Sequence, residues 1–211
     1  MIIMAGQSNP FWHYSAGKWP GSVGLLFCPS YFKLNFLQEW FPYALDNGAF
    51  TAWTKQHPWC AKSWIDMLQL ARMSGKTPVW ALVPDVVGNR NETLANWGRF
   101  ASVIGSFGWT KAFAVQDGMN PKDVPEDASV IFVGGTTEWK WRNLEMWAKS
   151  FPRIHVGRVN SIRRLVTCEK FNVESVDGTG WFRDPSDPNK LKALKHWFEG
   201  FRPEHPELNY E

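Results

Sequence analysis

The sequence predicts an α/β fold, a compact single-domain parallel (β/α)8 barrel of the TIM type. Three observations lead there. Short, continuously apolar runs recur along the 211 residues, as strands covered on both faces require. Most of these runs are separated by stretches whose apolar residues fall at helical spacing. Each run also ends in a polar or glycine-rich exit, and in parallel α/β architectures ligands bind beyond those carboxyl ends. An open doubly wound sheet is the second architecture compatible with the same alternation.

In chain order, Ile2-Ile3-Met4 reads as the first strand and Val23 to Cys28 as the second. Residues 7 to 22 between them, rich in Gly, Ser, Pro and aromatics, read as a loop. Tyr43-Ala44-Leu45 is the third strand and ends in Asp46-Asn47-Gly48. Ala61, Trp64, Ile65, Leu68 and Ala71 mark a helix from Ala61 to Met73, which Ser74-Gly75-Lys76 stops. The fourth strand, Pro78 to Pro84, ends at Asp85, and the helix after it carries Leu94, Trp97, Ala101 and Ile104. Ala112 to Val115 leads into Gln116-Asp117-Gly118, Val130 to Val133 into Gly134-Gly135, and Ile154 to Val156 into Gly157-Arg158. Helices containing Leu144 and Trp147, and Ile162 and Leu165, follow the sixth and seventh strands. The eighth strand, with Val173 and Val176, hands Asp177 to a glycine-rich exit, and a last helix gathers Leu191, Leu194, Phe198 and Phe201. The barrel is expected over residues 1–203, with a polar tail over 204–211.

Composition narrows the class. With 44% hydrophobic and 20% charged residues the chain can bury a full core. It has no apolar run of membrane-spanning length, and Met1 to Gly6 lacks a basic leader, so a soluble, cytoplasmic protein is expected. Cys28, Cys60 and Cys168 are too scattered for a disulfide framework or a Cys-x-x-Cys knuckle, so no metal site and no cofactor is expected. The 14 tryptophans accompany a net charge of only +3. Tryptophan packs cores, but it also stacks on nucleobases, so nucleic acid is permitted rather than demanded.

Asp46, Asp85 and Asp177 supply a nucleophile, a general base and a recognition carboxylate if they converge on one pocket. Singly, each has a structural reading as a turn or helix cap. Gln116 is an amide suited to a heterocycle edge, and Gly134-Gly135 let a planar ligand lie against backbone. Arg183, six residues after Asp177, suits an anion or holds the carboxylate ionised. Trp181 is the expected stacking residue among Trp12, Trp19, Trp53, Trp139 and Trp181, while His155 reads as a core histidine.

These motifs, in this order, resemble the guanine transglycosylases, enzymes that exchange guanine in a polynucleotide for a 7-deazaguanine. Asp46-Asn47-Gly48-Ala49-Phe50 resembles their Asp-Ser-Gly-Gly-Phe motif, whose aspartate is a general acid/base. Pro84-Asp85 falls where the family grips the guanine edge. Val115-Gln116-Asp117-Gly118 resembles a Val-Gln-Gly segment that binds the base, and Val133-Gly134-Gly135 an Ile-Gly-Gly that offers it backbone, with Glu138 near a similarly placed family glutamate. Val176-Asp177, with Arg183 beyond it, resembles the segment carrying the nucleophilic aspartate. The resemblance implies Asp177 and Asp46 as catalytic residues, and Asp85, Gln116, Gly134, Gly135, Arg183 and Trp181 as substrate-binding residues. The tRNA enzymes carry a zinc subdomain, for which this chain has no ligand cluster. The similarity therefore points to the short, zinc-free branch of bacterial and phage DNA-modification systems, with DNA as partner and a free 7-deazaguanine as co-substrate. A nucleosidase or glycoside hydrolase using the same carboxylates, and a non-catalytic modified-base binder, remain alternatives.

Overall fold

The computed structural model describes residues 1–37, 40–178, 180–183 and 188–200. Eight parallel strands close into a barrel in sequence order. They are β1 (Ile2–Ala5), β2 (Val23–Phe27), β3 (Tyr43–Leu45), β4 (Ala81–Leu82), β5 (Lys111–Val115), β6 (Val130–Val133), β7 (Ile154–Val156) and β8 (Ser175–Asp177). Closure comes from β1 against β8, where Ile3 pairs with Val176 and Met4 with Asp177. The helices are α1 (Pro10–Lys18), α2 (Ala49–Thr54), α3 (Ala61–Met73), α4 (Arg90–Ser106), α5 (Thr137–Ser150), α6 (Ile162–Lys170), α7 (Gly180–Arg183) and α8 (Pro188–Phe198). No described helix is long and apolar enough to cross a membrane. The expected tail over 204–211, and Phe201, lie outside the described residues, as do the side chains of Lys190 and Leu191.

The strands sort their side chains by parity. Ile3, Leu25, Leu45, Phe113, Val115, Ile131, Val133, Ile154, Val156 and Val176 belong to the large core that also holds the buried helix residues. The intervening Met4, Leu26, Ala44, Leu82, Ala112, Ala114 and Val130 form a second cluster inside the barrel, with Phe132 packed against it. Three small alanines there leave room for Trp80, which is fully buried. The interior is therefore filled, and a ligand must sit above it at the strands' carboxyl ends.

Two expectations are corrected. Residues 7–22 are not a loop throughout, because α1 forms over Pro10–Lys18 with Pro in its first turn, where no N–H is missed. The Asn9 side chain caps it by accepting from the Trp12 N–H at 2.8 Å. Trp12 is fully buried and its indole donates to the Gly24 carbonyl at 3.1 Å. The fourth strand is also shorter than Pro78 to Pro84, only Ala81–Leu82, since neither flanking proline can donate to a ladder. Hydrogen bonds from Val79 to Tyr43 and from Val83 to Ala112 extend the pairing on either side.

Gly24 is required by strand proximity. A Cβ there would meet the Pro42 carbonyl oxygen at 2.7 Å, and that oxygen already accepts from the Leu25 N–H between β2 and β3. Gly17, exposed in α1, has open space around its Cα. Gly24→Ala is expected to lower the unfolding free energy by about 1–3 kcal/mol, whereas Gly17→Ala should raise it by about 0.5–1 kcal/mol. Denaturant titration of the two variants checks this, and equal stability of both would contradict the packing described.

Candidate functional site

The carboxyl ends of β3 to β8 surround an open pocket. Asp46, Asp85, Gln116, Gly134, Gly135 and Asp177 all line it, together with Phe50, Phe132, Gly157 and Arg158. Six residues singled out in the sequence thus share one pocket because each follows directly, or nearly so, on an outward-facing position of its strand and so turns toward the barrel axis.

Asp85 is held by neutral donors. Asn47 Nδ2 donates to one carboxylate oxygen at 2.7 Å, and Gln116 Nε2 donates to the other at 2.7 Å. Asn47 is itself fixed, since its Nδ2 also reaches the Val83 carbonyl at 3.1 Å and its Oδ1 accepts from the Ala49 N–H at 2.7 Å. Trp59 secures the Asn47 carbonyl from behind at 2.8 Å. Gln116 is likewise oriented, its Oε1 accepting from the Gly88 N–H at 3.0 Å. Burial pushes the Asp85 carboxyl upward, and the two amides pull it back.

Asp46 accepts the Gly48 N–H at 2.9 Å, a tight turn that Gly48 permits with φ of 78°. Its carboxyl opens onto the cavity but is otherwise enclosed. Burial above all, with the negative charges of Asp85 and Asp177, pushes it up to about 7. A carboxyl poised there is populated in both protonation states near neutrality, as acid/base work requires.

Asp177 is braced from two sides. His155 Nε2 lies 3.0 Å from Oδ1, and the Arg158 backbone N–H donates to Oδ2 at 3.2 Å. His155 is fully buried between Trp80 and Phe132, with ring centroids 4.7 Å away on each side, and its Nδ1 lies 2.8 Å from Ser175 Oγ. With Asp177 ionised, the His155 proton belongs on Nε2 and the Ser175 hydroxyl donates to Nδ1. Gly157 makes room for this arrangement, since a Cβ there would meet the Phe132 ring at 2.9 Å and Asp177 Oδ1 at 3.3 Å.

Arg158 is the residue that sequence reasoning missed. Its backbone is left-handed, with φ of 60°, which aims its N–H at Asp177. Its guanidinium donates to the Gly135 carbonyl and lies 4.8 Å from the centroid of Phe50. One residue on the β7 exit therefore touches the exits of β3, β6 and β8. Lys140, buried on α5, donates to the Gly157 carbonyl just before it.

Trp181 does not have the stacking role expected of it. It is 2% exposed, and its indole N–H donates to the Val159 carbonyl at 2.6 Å. The exit after β8 is correspondingly closed: Gly178 packs so near the Val159 carbonyl that no Cβ fits, and α7 buries Trp181 and Phe182. Of the other tryptophans named with it, Trp12 is in the core and Trp19 is stacked on Phe198 at 4.5 Å. Trp139 is half-buried, and Trp53 is 60% exposed beside Phe50, their ring centroids 5.8 Å apart. Glu138 faces solvent on α5 and pairs with Arg142, away from the cavity. Asp117 turns to the Thr136 N–H and hydroxyl at 2.7 and 2.6 Å. The Arg183 side chain lies outside the described residues.

A second cavity, lined by Ala5, Gly6, Gln7, Ser8, Asn9, Tyr31, Gly178 and Phe182, lies where β8 meets β1. Tyr31 donates to the Leu26 carbonyl at 2.8 Å, and burial with the Cys28, Asp46 and Asp177 charges raises its hydroxyl far above the ordinary range. Among the described residues no group of three or more His, Cys, Asp and Glu could hold a metal ion, and all three cysteines are free.

No protein-family model matches the chain, and no curated protein sequence matches it. Solved structures do resemble it. A chain from the tryptophan synthase α2β2 complex of the hyperthermophile Pyrococcus furiosus superposes with a TM-score of 0.57 at 13% identity, covering 95% of this chain and 96% of that one. A second structure of the Pyrococcus furiosus tryptophan synthase complex gives 0.55 at 13% identity with the same coverage. At that identity the likeness establishes the fold, a single-domain TIM barrel, and leaves the chemistry to the residues of the pocket.

Proposed function

We propose that the protein is a base-exchange glycosyltransferase that replaces guanine in DNA with a 7-deazaguanine. The observation that carries this reading is the meeting of Asp46, Asp85 and Asp177 in one pocket, each in a different electrostatic setting. In the proposed reaction an Asp177 oxygen attacks C1′ of a guanosine, forming a C1′–O bond as the C1′–N9 bond breaks. Protonated Asp46 supplies the proton that the departing guanine needs. An incoming 7-deazaguanine then surrenders its N9 proton to the Asp46 carboxylate, its N9 bonds to C1′, and Asp177 is released. The cycle needs no cofactor, and Asp46 ends as it began.

Asp85 accepts from the ring N–H and exocyclic amine of guanine, and the Gln116 amide presents polar atoms beside it. His155 and the Arg158 N–H hold Asp177 in its attacking rotamer. Phe50, 39% exposed at the cavity mouth, and Trp53 beside it provide stacking surface for an unstacked nucleotide, the role first assigned to Trp181. The second cavity, at the β1–β8 seam beside Gly178, offers Gln7 and Ser8 to the attached sugar.

The decisive experiment incubates the protein with DNA and labelled guanine or a labelled 7-deazaguanine, then digests to nucleosides. Label in deoxynucleosides is expected, and its complete loss in Asp177→Asn, which keeps the shape but not the nucleophile. Base release without incorporation would replace the transferase by a hydrolase. Label entering only tRNA, in a mixture of DNA and tRNA, would remove DNA as the substrate.

The charge state of Asp46 also makes a prediction about stability. Its folded value of about 7 exceeds the ordinary 3.8, so between those limits the folded chain holds a proton that the unfolded chain has lost. Stability on this account falls as pH rises through that window. Asp46→Asn removes the dependence, and the variant should be inactive in exchange yet more stable than the parent at pH 8, by about 1 kcal/mol or more. Denaturation of both at pH 5 and pH 8 tests it. A stability difference that does not grow in favour of the variant at the higher pH would refute the buried-acid assignment.

Trp53→Ala is expected to weaken DNA binding by about 1–3 kcal/mol while leaving thermal stability unchanged. Trp181→Ala should instead lower stability by about 3–5 kcal/mol. Fluorescence binding and thermal melts separate the two.

A further inference from the structure

Resting on the base-exchange reading, we propose that Arg158 is the specificity residue for the 7-position, and that it selects an incoming base whose 7-substituent is a hydrogen-bond acceptor or an anion over one bearing an ammonium. Travelling from β4 to β8 and on to β3, the pocket presents Asp85 with Gln116, then Gly135 with Arg158, then Asp177, then Asp46. Travelling around a guanine from its N1 and exocyclic amine, one meets O6 and position 7, then C8 and N9 with the attached C1′, then N3. A base can lie on either face, and the face that keeps O6 away from the Asp46 carboxylate, which has given up its proton when the new base enters, is the one on which the two cyclic orders run the same way. With the donor edge on Asp85 and C1′ at Asp177, the O6 and 7-position edge is left facing Gly135 and Arg158.

That edge of guanine carries two acceptors, O6 and N7, and a guanidinium is the side chain whose fork meets both. In a 7-deazaguanine, position 7 is carbon, so only O6 and the substituent remain to be read. The Arg158 guanidinium is engaged by a carbonyl oxygen, that of Gly135, and by the Phe50 face. Neither partner neutralises its charge, so it brings a positive potential to whatever occupies the 7-position. An entering base takes the Phe50 face in the guanidinium's place, while Arg158 stays on the Gly135 side and turns its donors onto the base edge. A carboxylate there gains a charge-assisted bond, whereas an ammonium meets a like charge in an enclosed site. The backbone N–H of the same residue braces Asp177 at 3.2 Å, which couples recognition at this edge to the attacking group.

The test measures binding of two free bases, 7-carboxy-7-deazaguanine and 7-aminomethyl-7-deazaguanine, by calorimetry, with labelled-guanine exchange into DNA run in parallel. The parent protein should prefer the carboxylate base by about tenfold or more. Arg158→Leu should bring the ratio near one, and Arg158→Glu should reverse it. Arg158→Lys, which keeps the charge but loses the fork, should retain the sign with a smaller ratio. Because the readout is a ratio within each variant, a general loss of affinity does not imitate it. A parent preference for the ammonium base, or a ratio that Arg158→Leu leaves unchanged, would overturn the proposal while active guanine exchange kept the base-exchange reading. Selective, Arg158-dependent binding without any exchange would do the reverse, and failure of both bases to bind would overturn both.

Discussion

Parallel closure is the constraint on which the rest of the molecule depends. Eight strands running the same way place every carboxyl end on one rim, and the β1–β8 pairing that completes the ring fixes Asp177 opposite Met4 at that rim. Side-chain parity then leaves little freedom. The residue following an outward-facing Leu45, Val115, Val133, Val156 or Val176 points toward the barrel axis, which places Asp46, Gln116, Gly134, Gly157 and Asp177 around a common centre. Trp80, Phe132 and the alanines below fill the axis, so these groups converge on a shallow, closed-bottomed pocket rather than a channel.

Crowding three carboxylates above an apolar floor is costly, and the protein distributes that cost unequally. Asp85 receives two amide donors and Asp177 an imidazole and a backbone N–H, whereas Asp46 receives backbone N–H bonds and faces the other two charges. Asp46, held by backbone N–H bonds, is pushed up to about 7, while Asp85 is raised by burial as well but drawn back by its two amides. Environment thereby assigns separate chemical behaviours to side chains of one type, which is how paired carboxylates acquire opposite roles on a single fold.

The parts of the site legible in the sequence were those written at strand ends. Asp46, Gln116, Gly134 and Asp177 follow apolar runs directly, so finding the run locates the residue. His155 was placed in the core for its position, and parity would have added more: flanked by outward-facing Ile154 and Val156, it must point inward and next to β8. Arg158 carried no such mark. Its left-handed backbone is not signalled by residue type, because asparagine or glycine is the usual occupant of that region. Trp181 misled for a related reason: a tryptophan among glycines looks exposed, but Gly178 is there to let the chain approach the Val159 carbonyl, and that approach buries the ring. The helix α1, capped by Asn9 with Pro10 in its first turn, reads as loop in the sequence because the aromatic and small residues around it conceal a helix whose packing, through Trp12, comes from tertiary contacts.

The choice of neutral partners around the carboxylates has a chemical consequence. A lysine or arginine paired to Asp46 would hold it ionised far below neutrality and remove its acid form. The described cations near the pocket are instead tied to carbonyls: Arg158 to Gly135 and Lys140 to Gly157. Burial, helped by the Arg158 charge, brings Lys140 down to about 8, so even this ammonium is held at a cost next to the loop that braces Asp177. Cations bound to carbonyls stiffen the β6 and β7 exits without neutralising the carboxylates those exits surround. The pocket can therefore be rigid in geometry and still have a movable proton, the combination that acid/base chemistry at a fixed nucleophile requires.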